Sequence, residues 1–134
     1  HELQATRVAV EQACTEAGIG ISDLDFAEVH DCFTVNELLC AEAIGLSLPG
    51  RAGFDVMEGK FDPDGDCPIN LSGGLKSKGH PVGATGASMH ALAYKQLTGA
   101  PIGVAAKGTP ETAMTVNIGG SGVTNCVSVL RRIK

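Results

Sequence analysis

Glycine punctuates this chain: eighteen of its 134 residues are glycine, the mark of a backbone that turns tightly and lets segments approach closely. With a single Tyr and no Trp, the interior must be built from aliphatic and small side chains. That points to an α/β chain rather than an aromatic-cored sandwich. The length lies within the usual range of one domain, so residues 1–134 are read as a single unit that can bury a core without metal or disulfide staples.

The glycines also divide the apolar periods. Leu3, Val10, Ala13, Cys14 and Ala17 fall on one face of an opening helix that Gly18 closes. After the turn Ser22-Asp23-Leu24-Asp25, the run Phe26-Ala27-Glu28-Val29 predicts a short strand with His30 at its carboxyl end, the end where open α/β sheets bind ligands. A second helix is expected from Thr34 to about Gly45, with Thr34-Val35-Asn36-Glu37 in the form of a capping box and Val35, Leu38, Leu39 and Ile44 as its apolar side. Residues 48–68, rich in Gly, Pro and Asp, read as a long surface excursion with at most a turn of helix. Then comes Lys78-Gly79-His80-Pro81-Val82-Gly83-Ala84-Thr85-Gly86, a histidine held between glycines at the entrance to a third helix over 87–97. Met89, Leu92, Ala93 and Leu97 face inward on that helix and Gly99 ends it. Residues 113–118, a Gly119-Gly120-Ser121-Gly122 turn and residues 123–130 predict a closing antiparallel hairpin. The expected architecture is a mixed sheet with helices on its faces.

A formal charge of −5, with no Lys/Arg cluster beyond Arg131-Arg132, argues against nucleic acid or an anionic membrane as the main partner. No apolar run approaches membrane-spanning length and no basic-then-apolar leader opens the chain. The chain therefore reads as soluble and cytoplasmic. It opens at His1 without an initiator methionine, so residues missing upstream are expected. Cys14, Cys32, Cys40, Cys67 and Cys126 are odd in number and follow no CxxC or zinc spacing. Free thiols packing as small hydrophobes are the reading, with no metal and no bound cofactor.

The candidate chemistry lies in three loops. His80 sits in a loop too glycine-rich to bury it, and can reach a reacting group that bare backbone also approaches; the alternative is a histidine that only hydrogen-bonds its turn. His30 follows a buried strand, where the alternative is a strand-end histidine satisfying neighbouring carbonyls. Asp31 reads as a cap or loop anchor rather than a base. Cys32 precedes a helix amino end, whose dipole favours thiolate over thiol. Asn117 ends a strand and is followed by glycines whose unobstructed N–H groups can form an oxyanion hole, or merely a turn. Cys40, Cys67, Cys126, His90 and Tyr94 read as structural.

Together, His30-Asp31-Cys32-Phe33, Gly79-His80-Pro81 and Asn117-Ile118-Gly119 resemble, in order and over most of the chain, three motifs of the C-terminal half of a thiolase, in its sterol-carrier-protein type. The fold so implied is an α/β half-thiolase of about five strands. His30-Asp31-Cys32-Phe33 stands where an NEAF-type motif is usual, and Asn117 stands where Cys-x-Gly carries a cysteine. In this type the HDCF cysteine takes over that cysteine's work. The resemblance implies that His80 promotes the thiolate of a nucleophilic cysteine and helps bind the thioester oxygen. His30 would complete that oxyanion hole, and Cys32 would move a proton to or from the carbanion carbon. Gly119 would offer its N–H to the acyl-enzyme thioester, with Asn117, Gly79 and Gly120 lining the substrate. The reaction implied is thiolysis of a 3-ketoacyl-coenzyme A, as in fatty-acid β-oxidation, or the reverse Claisen condensation, with coenzyme A as co-substrate.

In the family the nucleophile belongs to the N-terminal half, and nothing here corresponds to it; Cys14 lies on an apolar helix face. The resemblance thus implies a missing N-terminal half, an isolated chain that is inactive and exposes an apolar face, and a homo-oligomer of the complete protein. Two rivals share the loops: an aldolase cleaving steroid side-chain thioesters with a small accessory protein, and a non-catalytic acyl-coenzyme A-binding domain. A 3-oxoacyl synthase fits less well, because its usual histidines occur in other loop contexts.

Overall fold

The computed structural model describes residues 2–133. In chain order it contains α1 (Gln4–Ala17), a single 3-10 turn (Ile21–Asp23), β1 (Phe26–Val29), α2 (Thr34–Ile44), α3 (Ala52–Met57), α4 (Gly74–Lys78), α5 (Thr85–Leu97), β2 (Thr112–Gly119) and β3 (Thr124–Arg131). The expected opening helix, strand, second helix and hairpin are all present. Gly18 at φ 64° and Gly45 at φ 93° end α1 and α2 in the left-handed conformation that glycine adopts without strain.

The sheet has the order β1-β2-β3. β1 runs parallel to β2, with Glu28 opposite Thr115, and β2 runs antiparallel to β3, with Asn117 opposite Cys126. Parallel neighbours require a crossover, and α2 to α5 supply it. The sheet is mixed, as expected, but it has three strands among the described residues rather than about five. Residues 68–70 do run beside the free edge of β1: Ala27 N–H donates to Pro68 O at 2.9 Å and Asn70 N–H to Ala27 O at 2.8 Å. Only the Ala27–Ile69 bridge results. Pro68 has no N–H to extend the ladder, and Asn70 leaves extended geometry at φ 54°.

The sheet's two faces differ in chemistry. Ala27, Val29, Met114, Val116 and Ile118 point to one face, where Val10 and Cys14 of α1 and Cys40, Ala41 and Ile44 of α2 cover them. On the other face Phe26 and Ala113 pack against Ala93 and Leu97 of α5, beside Leu71. Moving along the strands on that second face, the rows change from apolar Phe26, Ala113 and Leu130 to Glu28, Thr115 and Ser128, then to His30, Asn117 and Cys126. His30 belongs to the ladder because its N–H donates to Val116 O at 2.9 Å.

Three local expectations fail. The capping box at Thr34 does not form: Phe33, extended at φ −133° and ψ 149°, is the last residue before α2, so Thr34 already lies in the first turn. Val35 is 57% exposed rather than on the apolar side. The third helix begins at Thr85, with Gly86 inside it, and the five-residue α4 precedes the His80 loop. The 48–68 excursion contains α3, which is clasped by a buried carboxylate: Asp55 accepts from Ser47, pairs with Arg51 at 2.9 Å and lies 3.6 Å from Lys60. Among the described residues no helix is long and apolar enough to cross a membrane.

Candidate active site

β1 delivers His30, and its two acidic neighbours anchor the segment that delivers His80. Glu28, fully buried, accepts from Ser72 N–H at 3.0 Å and from Ser72 Oγ at 2.5 Å, and lies 3.8 Å from Lys78 Nζ. Asp31 accepts the Leu75 N–H on both carboxylate oxygens, at 2.9 and 3.1 Å, at the amino end of α4. It therefore anchors a loop, as expected, but on α4 rather than α2. A side chain at Gly74 is excluded, because a Cβ there would come within 2.1 Å of Asp31 Oδ2 and φ is +63°. Asn70 adds a tie between elements: its Oδ1 accepts from Val29 N–H at 2.8 Å and its Nδ2 donates to Glu37 at 3.2 Å. Burial pushes the Glu28 and Glu37 carboxyls above their ordinary range, against the hydrogen bonds from Ser72 and Asn70 that favour the ions.

Held this way, His30 and His80 meet edge to face with ring centroids 4.9 Å apart and planes at 82°. Each ring is fixed through Nδ1: His30 against Asn117 Oδ1 at 3.1 Å, His80 against Thr85 Oγ1 at 2.7 Å. Thr85 spends its own proton on Pro81 O at 3.2 Å. With its proton there it accepts from His80 Nδ1–H, the arrangement that leaves His80 Nε2 with a lone pair. Burial lowers the His30 pKa; the Asn117 bond opposes this and the adjacent His80 ring adds to it.

Cys32 is exposed and shares a cavity of about 410 Å³ with His80, Asp31, Phe33, Leu75 and Lys76. The structure thus brings together His30, His80, Cys32 and Asn117 from three separate segments. Gly79 enters the loop at φ 81°, but its N–H is spent on Leu75 O at 2.8 Å, so it offers a ligand only open space at Cα and its carbonyl. Gly119 follows Asn117 on the same face of β2, and Gly120 turns out of the strand at φ 61°.

The remaining cysteines lie apart from this cluster or make no bond within it. Cys14, Cys40 and Cys67 are buried, and burial pushes the thiols of the last two up to about 12, far from ready ionisation. Cys14 borders a separate hollow of about 520 Å³ between α1 and the end of α2, which contains no histidine. Cys126 is exposed opposite Asn117. His90, read as structural, ties α5 to β3: its Nδ1 donates to Gly86 O at 2.7 Å and its Nε2 accepts from Ser128 at 2.9 Å. Thr85 was missed as a site residue, although a threonine in the first helical turn five residues after a loop histidine is a usable signal. Among the described residues no cluster of three or more His, Cys, Asp or Glu is placed to hold a metal ion.

Residues 1–132 match the family described as thiolase C-terminal domain-like. An acetyl-CoA acetyltransferase of Methanothermobacter thermautotrophicus is 41% identical over 130 residues, 97% of this chain and 34% of the relative. Sterol carrier protein 2 of Rattus norvegicus is 46% identical over 94 residues, 70% of this chain and 17% of the relative. Among solved structures, an Ltp2-ChsH2(DUF35) aldolase superposes with a TM-score of 0.79 at 23% identity, over 96% of this chain and 32% of that one, a likeness of fold. The chain spans no more than about a third of the length of these relatives.

Proposed function

The chain belongs to the thiolase C-terminal domain-like family, and from that premise we propose that it supplies the histidine-bearing half of an acyl-coenzyme A acyltransferase. The substrate class is a 3-ketoacyl-coenzyme A, cleaved by coenzyme A or formed by the reverse condensation through a cysteine thioester. That cysteine would come from the N-terminal half that thiolases carry, so this chain on its own would not turn over. The observation that supports the reading best is the His30–His80 contact at 4.9 Å, built from two loops and opening beside the exposed Cys32.

In this reading His80 Nε2 takes the proton of the approaching thiol, and the resulting N–H faces the thioester oxygen with His30 beside it. Cys32 exchanges the proton on the reacting carbon, a role its exposure in the shared cavity permits. The Gly119 face of β2 receives the acyl-enzyme carbonyl. No residue here need hold a cofactor; coenzyme A enters as co-substrate.

The test is the rate of 3-ketoacyl-coenzyme A loss, with and without free coenzyme A, in the complete polypeptide that carries this chain. Coenzyme-dependent loss that falls on the order of 100-fold in His80→Ala supports the acyltransferase. Loss that ignores coenzyme A indicates the aldolase, and saturable binding without loss indicates an acyl-thioester-binding domain.

A further inference from the structure

We propose that Asn117 is a positioning residue that fixes which ring nitrogen of His30 carries the proton. Asn117 Oδ1 lies 3.1 Å from His30 Nδ1 and, as an amide oxygen, can only accept. Nδ1 therefore holds the hydrogen and Nε2 holds the lone pair. Every buried side-chain nitrogen and oxygen among the described residues has a partner. Because no protein atom bonds His30 Nε2, that nitrogen retains some solvent access instead of being sealed in the core.

The amide is itself held in register. Asn117 continues the ladder opposite Cys126, and its Nδ2 packs over Gly86, where a Cβ would stand 3.1 Å away. An extra methyl on the first turn of α5 would press on the amide that holds His30, so the small residue in a helix has a role there. The groups facing His30 are few: Asn117 from β2, the His80 ring from its loop, and Asp31 next in the chain.

The consequence, which rests on the acyl-transfer reading, is that both Nε2 atoms of the neutral pair are acceptors. Neither can donate to a thioester oxygen until the pair gains one proton. When a thiol approaches, its S–H bond breaks, the proton forms an N–H bond at an Nε2, and sulfur keeps the electron pair as thiolate. The same transfer creates the nucleophile and the first hydrogen-bond donor for the oxyanion.

The experiment is 15N-histidine NMR of the complete polypeptide at about pH 8, above the ordinary histidine value, with His30 assigned by its disappearance in His30→Gln. The expected result is the Nδ1–H pattern in the unsubstituted protein, a shift to the Nε2–H form that unheld imidazole favours in Asn117→Ala, and the Nδ1–H pattern regained in Asn117→Asp, whose carboxylate also accepts. An Nε2–H pattern in the unsubstituted protein would mean the amide is turned over and would overturn the proposal. So would an unchanged pattern in Asn117→Ala. In parallel, thiolysis by Asn117→Ala should lose kcat by roughly 10–100-fold with KM little changed; full kcat alongside a switched tautomer would overturn the catalytic consequence. If the unsubstituted protein cleaves no 3-ketoacyl-coenzyme A at all, the proposed function fails while the NMR result still decides the role of Asn117.

Discussion

Gly119 and Gly86 lie on either side of Asn117, and they are glycine for different reasons. A Cβ on Gly119 would meet Thr124 at 3.5 Å, an ordinary contact, and its φ is not in the left-handed region. The chain itself has room for alanine there, so in the proposed reading an added methyl would meet the substrate rather than the protein. Gly119→Ala should fold with equal or slightly greater stability, by up to about 0.5–1 kcal/mol, yet lose activity on the order of 100-fold, as when an oxyanion donor is blocked. Thermal melts together with thiolysis rates check this, and an unchanged rate would remove Gly119 from the site. Thr85 gives a second test at this scale. Thr85→Val removes the acceptor for His80 Nδ1–H and should cost about 1 kcal/mol, with a displaced pH profile for kcat/KM that Thr85→Ser restores. Of the motif histidines, His80 was legible because glycine and proline frame it in the sequence, and His30 because it follows a predicted strand. Their partners were less so: His30 and Asn117 are 87 positions apart, and nothing local marks the pair.

Among the elements, the five-residue α4 has the least intrinsic stability and the most influence on the site, since Gly79 and His80 follow it directly. Helices this short do not persist by propensity; Asp31 and, through Ser72, Glu28 hold its amino end, and Lys78 at the other end reaches back to Glu28. Asp31→Ala should cost about 1 kcal/mol, the usual loss on removing a carboxylate from a helix amino end. It should also lower activity more than stability, because the spacing of His30 and His80 then relaxes. Equal activity per folded molecule, with stability followed by urea denaturation, would show that α4 does not position His80. The sequence revealed elements long enough to show a period or closed by glycine, namely α1, α2, α5 and the hairpin. It hid α4, whose residues Gly74 to Lys78 are too few to display one. The Thr34 box misled because its pattern is local: extended Phe33 precedes α2, which leaves Thr34 inside the first turn.

For the whole molecule, charge and packing make separate predictions. The buried Glu28 and Glu37 favour their protonated forms, so folding stability should fall as pH rises above the ordinary carboxylate range. His30 favours its neutral form, so stability should also fall as pH drops below the ordinary histidine value. Denaturant titrations across pH should therefore place the stability maximum of Glu28→Gln at higher pH, and that of His30→Asn at lower pH, than in the unsubstituted chain; no movement in either would mean that these groups do not govern it. The sheet was legible in kind, mixed with helices on both faces, but not in strand number, since Pro68 and Asn70 limit the segment beside β1 to a single bridge. The division of labour between its faces also bears on how such a chain tolerates change. At the His30 end of β1 and β2, beyond the fully buried rows of Phe26 and Glu28, sequence neighbours answer to different demands, so a scan of every substitution, scored separately for cellular abundance and for turnover, should alternate there between the two. Positions 27, 29, 114 and 116 would register in abundance, where Met114→Ala alone should cost about 2–5 kcal/mol, while positions 30, 117 and 119 would register in turnover at nearly normal abundance. Variation at one can then be sampled without disturbing the other, although a single residue separates them.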